Sequence, residues 1–176
     1  NMPFYSTGSI TIDPNDSSRI WVGTGENVAG RHVGIGHGIY LSKDSGSTWD
    51  DMGLNKSEHI SKIIVHPDNS NIIWVASQGP LWNSGGDRGL FMSTDGGNTW
   101  SNKLYVNEWT GVTDIIIDPT NPDILYAATW QRHRNVASLI DGGPGTSIYK
   151  SIDGGNTWNE IDSGLPSSNM GKIGLA

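Results

Sequence analysis

The sequence predicts an all-β chain: a β-propeller of four-stranded antiparallel blades, with about three blades present as a fragment of a larger propeller. Three observations carry this. Near-copies of one unit follow each other at a spacing of 53 and then 52 residues, from Pro14 to Pro67 to Pro119. Each copy holds four short strand-like runs, and no stretch shows a helical period of useful length. A motif ending in tryptophan recurs once per copy, as SKDSGSTW at 42–49, STDGGNTW at 93–100 and SIDGGNTW at 151–158. Four antiparallel strands every ~50 residues with one aromatic motif each is the pattern of a propeller blade. The blades are expected at about 6–54, 57–106 and 109–162 of a partial propeller spanning 1–176, and 171–176 reads as the opening of a further blade.

Each element has a local reason. The first strand of a copy is an apolar run, Ile10-Thr11-Ile12, Ile63-Ile64-Val65 or Ile115-Ile116-Ile117, whose lack of alternation predicts burial on both faces. A turn on Pro14, Pro67 or Pro119 follows, where proline presets φ and short polar side chains bond the nearby backbone; His66 stands in the place of Asp13 and Asp118 and is expected to serve as a turn acceptor. The second strand carries Trp21, Trp74 or Tyr126, and the third carries Tyr40, Phe91 or Tyr149. The fourth is expected to begin at Trp49, Trp100 or Trp158.

Composition narrows the function. Eleven Lys and Arg against 18 Asp and Glu give a net charge of −7, which repels a phosphate backbone, so nucleic acid is not an expected partner. The chain is too polar for a membrane span. With no cysteine there are neither disulfides nor thiolate metal sites. No cofactor is implied. The chain opens on Asn1-Met2-Pro3 and stops inside a strand-like run, so it reads as a piece of a longer protein whose remaining blades are its first expected partner. Taken alone, such an arc is expected to associate through its bare edges.

The recurring motif resembles the Asp-box, or BNR repeat, of form Ser/Thr-x-Asp-x-Gly-x-Thr-Trp. Ser42, Asp44, Gly46, Thr48 and Trp49 fit it, as do Ser93, Asp95, Gly97, Thr99 and Trp100, and Ser151, Asp153, Gly155, Thr157 and Trp158. Asp-box propellers include sialidases, xyloglucan-cleaving glycosidases, sortilin-type receptor ectodomains and photosystem assembly factors. With Asp-Pro-x-Asn-Pro-Asp-x-Leu-Tyr at 118–126 and Thr-Trp-Gln-Arg-His-Arg at 129–134, the chain is most similar to secreted bacterial proteins of sortilin-like or glycosyl-hydrolase-like type. The resemblance implies an extracellular or cell-surface location.

The boxes themselves read as structure. A tight turn needs a residue at ease with φ > 0 and an acceptor for unpaired N–H groups, which Gly and Asp supply, while the tryptophan fills space between blades. Catalysis needs one carboxylate pair in one place, whereas Asp44, Asp95 and Asp153 recur around a ring.

Function is expected on the opposite face, in the connections between second and third strands. From the second-strand aromatic to the box aspartate the separations are 23, 21 and 27 residues, so these loops are long and unequal. They carry Glu26, Arg31, His32 and His37; Trp82, Asp87 and Arg88; and Trp130, Arg132, His133, Arg134 and Asp141. Arginine offers a planar fork for carboxylate or phosphate, and tryptophan a face for a sugar or peptide. The candidate ligand-binding residues are thus Glu26, Arg31, His37, Trp82, Asp87, Arg88, Trp130, Arg132 and His133. An alternative is that these arginines order their own loops. His32, His37 and His133 lack a completing ligand set, so no metal site is expected.

Two function classes lead, and a third is an assembly factor or interblade scaffold that takes no small ligand. A binding module would hold a peptide, glycan or protein partner on the loop face. A glycoside hydrolase would need two carboxylates, roughly 5–5.5 Å apart for retention or 6.5–9.5 Å for inversion, to be sought among Glu26, Asp87, Glu108, Asp114 and Asp141. The sialidase resemblance would imply an Arg-Ile-Pro segment, which is absent; xyloglucan hydrolases place their acids across a cleft between two propellers.

Overall fold

β-Branched and aromatic runs bounded by Asp, Asn, Gly and Pro become strands, because such side chains suit a pleated surface while the bounding residues bond the backbone at turns. A computed structural model describes residues 6–176; residues 1–5, included in the expected 1–176 span, lie outside the described residues. The first ladder is β1 (Thr7–Asp13), β2 (Asp16–Thr24), β3 (Ile39–Ser42) and β4 (Asp50–Asp51). The second is β5 (Ile60–His66), β6 (Asn69–Ser77), β7 (Gly89–Ser93) and β8 (Ser101–Leu104). In the third, β9 (Thr110–Ile117), β10 (Leu125–Arg134), β12 (Ile148–Ser151) and β13 (Asn159–Ile161) pair in that order, and β11 (Leu139–Asp141) pairs with the far end of β10. All these pairings are antiparallel. The chain is an all-β propeller piece, and among the described residues no helix is long and apolar enough to cross a membrane.

Equivalent positions keep equivalent jobs. Trp21 faces Leu41, Trp74 faces Met92 and Tyr126 faces Lys150 across the second and third strands. At the first turns, Asp13 accepts the Asn15 N–H and Asp118 accepts the Thr120 N–H, while His66 Nδ1 accepts the Asp68 N–H at 3.1 Å. The fourth strands begin one residue after the box tryptophan, at Asp50, Ser101 and Asn159, rather than at the tryptophan itself.

Neighbouring sheets bury a core between them. Trp21, Ile39 and Leu41 of the first meet Ile60, Ile63 and Val65 of the second; Trp74, Leu90 and Met92 of the second meet Val112 and Ile115 of the third. The glycines of the second and third boxes let this happen. A Cβ on Gly97 would lie 2.6 Å from the Trp21 ring, and one on Gly155 would lie 2.5 Å from Trp74 Nε1. Each second-strand tryptophan therefore slides under the box of the following sheet, and Trp100 completes the joint with its ring edge-on to Trp21 at 6.5 Å and its Nε1 donating to the Met52 carbonyl at 2.8 Å. The expectation that first strands are buried on both faces is corrected. Ile63 and Ile115 are buried, but Ile10 and Ile12 are 65% and 58% exposed, because among the described residues no sheet packs on that side of β1.

The boxes form one repeated turn. In each copy the serine hydroxyl donates to the aspartate at 2.8 Å, the threonine hydroxyl donates to its other oxygen at 2.6 Å, and the threonine N–H donates at 2.8–2.9 Å. The threonine bonds first, then the serine, hold the carboxyls of Asp44, Asp95 and Asp153 at about 2, below the ordinary 3.8. Backbone bonds from Ser45, Gly96 and Gly154 to Ser18, Asn71 and Asp123 fasten each box to the first turn of its own sheet. All these turns share one end of the fold.

Candidate functional site

With the turns at one end, the connections across residues 25–38, 78–88 and 135–147 leave from the other. Arg31, Arg88, Arg132 and Arg134 gather there, away from Asp44, Asp95 and Asp153. The longest strand, β10, runs beyond the ladder and returns through β11, with Arg132 opposite Asp141 and Arg134 opposite Leu139. Its other edge receives the carbonyls of Trp109 and Leu81, so second-sheet and third-sheet loops merge into one surface.

Two of the arginines build this surface from inside. Arg88 is 1% exposed and donates all its N–H groups to backbone: Nε to Gly85, Nη1 to Gln78 at 2.6 Å and Trp109 at 3.3 Å, and Nη2 to Pro80 and to Asn83 at 3.2 Å. Gly79, at φ +68°, is needed beneath it, since a Cβ there would lie 2.8 Å from Arg88 Nε. Arg132 has no exposed surface; it donates to Val28 at 2.9 Å and Gly79 at 3.4 Å and lies 5.2 Å from the centre of the Trp130 ring. Burial lowers both guanidiniums, Arg88 to about 10 and Arg132 to about 9. The expectation that Arg88, Arg132 and Trp130 present themselves at the surface is thus corrected: carbonyls exposed by long glycine-rich loops must be satisfied, and a planar five-donor fork does this within one side chain. The loops remain the binding candidates, and their outer residues do the presenting.

Glu58, which sequence reasoning passed over, lies where these loops meet. It is a non-glycine residue at φ +63°, its carbonyl accepts the Gly36 N–H at 2.8 Å, and a Cβ on Gly25 would collide with that carbonyl. Its half-buried carboxyl accepts the Leu81 N–H between the charges of Arg88 and Arg132. Burial raises this carboxyl, against the pull of the two arginines. Beside it, His59 is fully buried with no protein partner on either ring nitrogen, one of which faces the Glu26 carbonyl. Burial, then the Arg132 charge, hold His59 at about 4, so the ring is neutral at pH 7. A charged residue between two loop-forming stretches carries no motif, and only the positive φ and the converging arginines reveal it.

The sequence-predicted acids have different surroundings, and two of them, Asp114 and Asp141, both act on the charge of Lys172. Glu26 accepts the Gly34 N–H at 2.9 Å and, with Ser6, Thr7, His32 and Gly34, lines a cleft of about 420 Å³. Asp87 accepts the Lys56 N–H, fastening two connections together. Asp114 lies 3.7 Å from Lys62 Nζ and accepts the Leu175 N–H at 3.0 Å, holding residues 171–176 alongside β9. Asp141 and Glu108 are exposed. The histidines also scatter: His32 in the cleft, His37 4.0 Å from Asp51, and His133 on Trp109. Among the described residues no three His, Cys, Asp or Glu side chains converge as a metal would require.

What the face offers outward is aromatic and polar. The Trp109 and His133 rings stack at 4.0 Å and 34°, both half-buried. Trp82 is half-buried on the adjoining loop, which the Gly85 N–H to Glu108 carbonyl bond ties to the Trp109 segment at 2.8 Å. Arg31 reaches across the face to the Val136 carbonyl at 3.2 Å.

A probable oligoxyloglucan-reducing end-specific xyloglucanase of Neosartorya fischeri is 24% identical over 170 residues, covering 88% of this chain and 17% of its own. Xyloglucanase Xgh74A of Acetivibrio thermocellus is 28% identical over 178 residues, covering 90% of this chain and 20% of its own. The chain therefore spans about a fifth of these relatives. Among solved structures, an ancestral GH74 enzyme superposes with a TM-score of 0.63 at 22% identity over 91% of this chain and 19% of its own. YCF48 from Cyanidioschyzon merolae does so with 0.50 at 18% over 91% and 38%. Both likenesses concern the fold. The family model described as Sortilin, neurotensin receptor 3 matches residues 37–172. With three Asp-box sheets and a match over most of its length, the chain belongs to the Sortilin-Vps10 family.

Proposed function

We propose that this chain is the blade segment of an extracellular glycoside-hydrolase-type propeller, with blades at about 6–54, 57–106 and 109–162, that holds a glycan on the loop face opposite the Asp-boxes. The observation that carries the reading is the half-open aromatic pair of Trp109 and His133, with half-buried Trp82 on the adjoining loop, set among loops rich in polar groups. Aromatic rings suit the apolar face of a sugar ring while hydrogen-bonding groups around them fix its hydroxyls. The relatives that match most of the chain are xyloglucanases, which makes a β-glucan of that type the first substrate to test. Glu26 bonds its own loop, Asp87 fastens Lys56 and Asp114 holds Leu175, so the proposed contribution of this segment is holding the glycan rather than supplying a complete acid–base pair. Titration of the chain with xyloglucan oligosaccharides, followed by tryptophan fluorescence, should give saturable binding that Trp109→Ala weakens at least fivefold. Absence of binding to xyloglucan and to other polysaccharides would reject the reading.

A second reading has its own support. The family match points to peptide or protein capture, and Lys172, Arg132 and Arg134 donate in a row to the carbonyls of Asn27, Val28 and Ala29, an arrangement that reads an extended backbone. Saturable binding of peptides without any glycan binding would favour it.

A further inference from the structure

The connection from Gly25 to Gly36 does more than join β2 to β3. It crosses from the first sheet to the third, where its successive carbonyls at Asn27, Val28 and Ala29 accept bonds from Lys172 at 2.9 Å, Arg132 at 2.9 Å and Arg134 at 3.2 Å. Arg31 returns the clasp to the Val136 carbonyl. Asn27 is pinned at the near end by bonds to the Gly8 and Ser61 carbonyls. Beyond it the segment has little apolar anchorage: Val28 and Ile35 are 51% and 57% exposed, and Ala29 and Val33 are only half-buried. Both of its ends, Gly25 and Gly36, close on the Glu58 carbonyl.

Directly beneath lies a set of buried polar side chains whose bonding is incomplete. Gln78 meets Asn27 through Nε2, but its Oε1 has no protein partner. Arg132 holds Val28 through Nη1, but its Nε has none. Trp130, with Lys172 5.6 Å from its ring centre, leaves Nε1 unpaired, and His59 makes no hydrogen bond of regular geometry, one of its nitrogens facing the Glu26 carbonyl of this connection. These four residues are at most 3% exposed. Native folds pair nearly all buried polar groups, and a cluster of exceptions in one place asks for a partner. Two N–H donors, an amide acceptor and a neutral imidazole together match hydroxyl groups, which donate and accept at once.

We infer that residues 26–36 form a displaceable strap over a hydroxyl-reading floor of His59, Gln78, Trp130 and Arg132, and that a glycan gains this floor by lifting the strap. This rests on the glycan reading above. The strap and a ligand compete for one place, so loosening the strap raises affinity, because the closed population reduces apparent binding in proportion.

The test uses the full chain, xyloglucan heptasaccharide as probe, and the double variant Arg31→Ala/Arg134→Ala, which opens the clasp without touching the floor. Hydrogen exchange at residues 27–36 should quicken, and affinity should rise at least fivefold; the Lys replacements, which can still donate to carbonyls, should return both toward wild type. Unfolding cannot mimic a gain in affinity. Unchanged exchange would disprove the clasp. Quickened exchange with equal or weaker binding would disprove the floor while leaving the glycan reading standing. Binding by neither protein would remove both.

Discussion

Lowering the pH from 7 to 5 should destabilise this fold through His59 before the carboxylates titrate. Its ring is buried and neutral, with a folded value of about 4 against 6.5 when free. The sign follows from which state binds the proton first. The unfolded chain protonates His59 near its ordinary value while the folded chain resists, so the stabilisation is complete above about 6.5 and is lost progressively as pH falls toward 4. Two and a half units would amount to about 3 kcal/mol in full, of which about 2 kcal/mol falls between pH 7 and 5. Urea melts at the two pH values should show this loss in the wild type. His59→Phe keeps a ring of similar shape, removes both unpaired nitrogens, and should flatten the dependence whatever its effect on stability at pH 7. A variant that still loses about 2 kcal/mol over the same interval would refute the assignment.

Further outcomes follow from the same contacts. Gly97→Ala meets the Trp21 ring at 2.6 Å, at φ +92°, and should cost about 1–3 kcal/mol from overpacking beyond the φ penalty, whereas Gly46→Ala, at φ +91° with only Trp49 at 3.8 Å, should cost about 1–2 kcal/mol; paired denaturant melts measure the difference. Asp95→Ala should lower the melting temperature by unpairing the Thr99 N–H and the Ser93 and Thr99 hydroxyls. Because the folded carboxyls lie at about 2, below 3.8, the boxes stabilise fully above the unfolded value and release that stability only as pH falls through about 2. Arg88→Met leaves the carbonyls of residues 78, 80, 83, 85 and 109 unpaired, so limited proteolysis should cut within 80–87 faster and stability should fall by more than about 2 kcal/mol.

The fold was legible because its signals are local and repeated. Asp, Gly and Thr at fixed offsets can make one turn, and the copies at Asp44, Asp95 and Asp153 make it with the same bonds. Likewise the spacing from Pro67 to Trp74 sets which residue slides beneath the next box. The loop face was legible only as a place. Arg88 and Arg132 have the composition of ligand-binding residues, but the number of loop carbonyls needing donors decides their role, and that count depends on how three distant loops meet. Glu58 and His59 were invisible for the same reason: their neighbours Arg88, Arg132 and Leu81 lie 22 or more residues away in sequence. The non-alternating Ile10-Thr11-Ile12 run misled because burial of a first strand depends on the adjacent sheet, not on the strand itself.

The ligand must lie at the end remote from the boxes. Nuclear magnetic resonance of the tryptophan indole groups during titration with a xyloglucan oligosaccharide separates the ends directly, since Trp82 and Trp109 lie on one and Trp49, Trp100 and Trp158 on the other. Saturable shifts of Trp82 and Trp109, with the three box indoles unmoved, are the predicted result. Shifts confined to Trp49, Trp100 or Trp158 would contradict it.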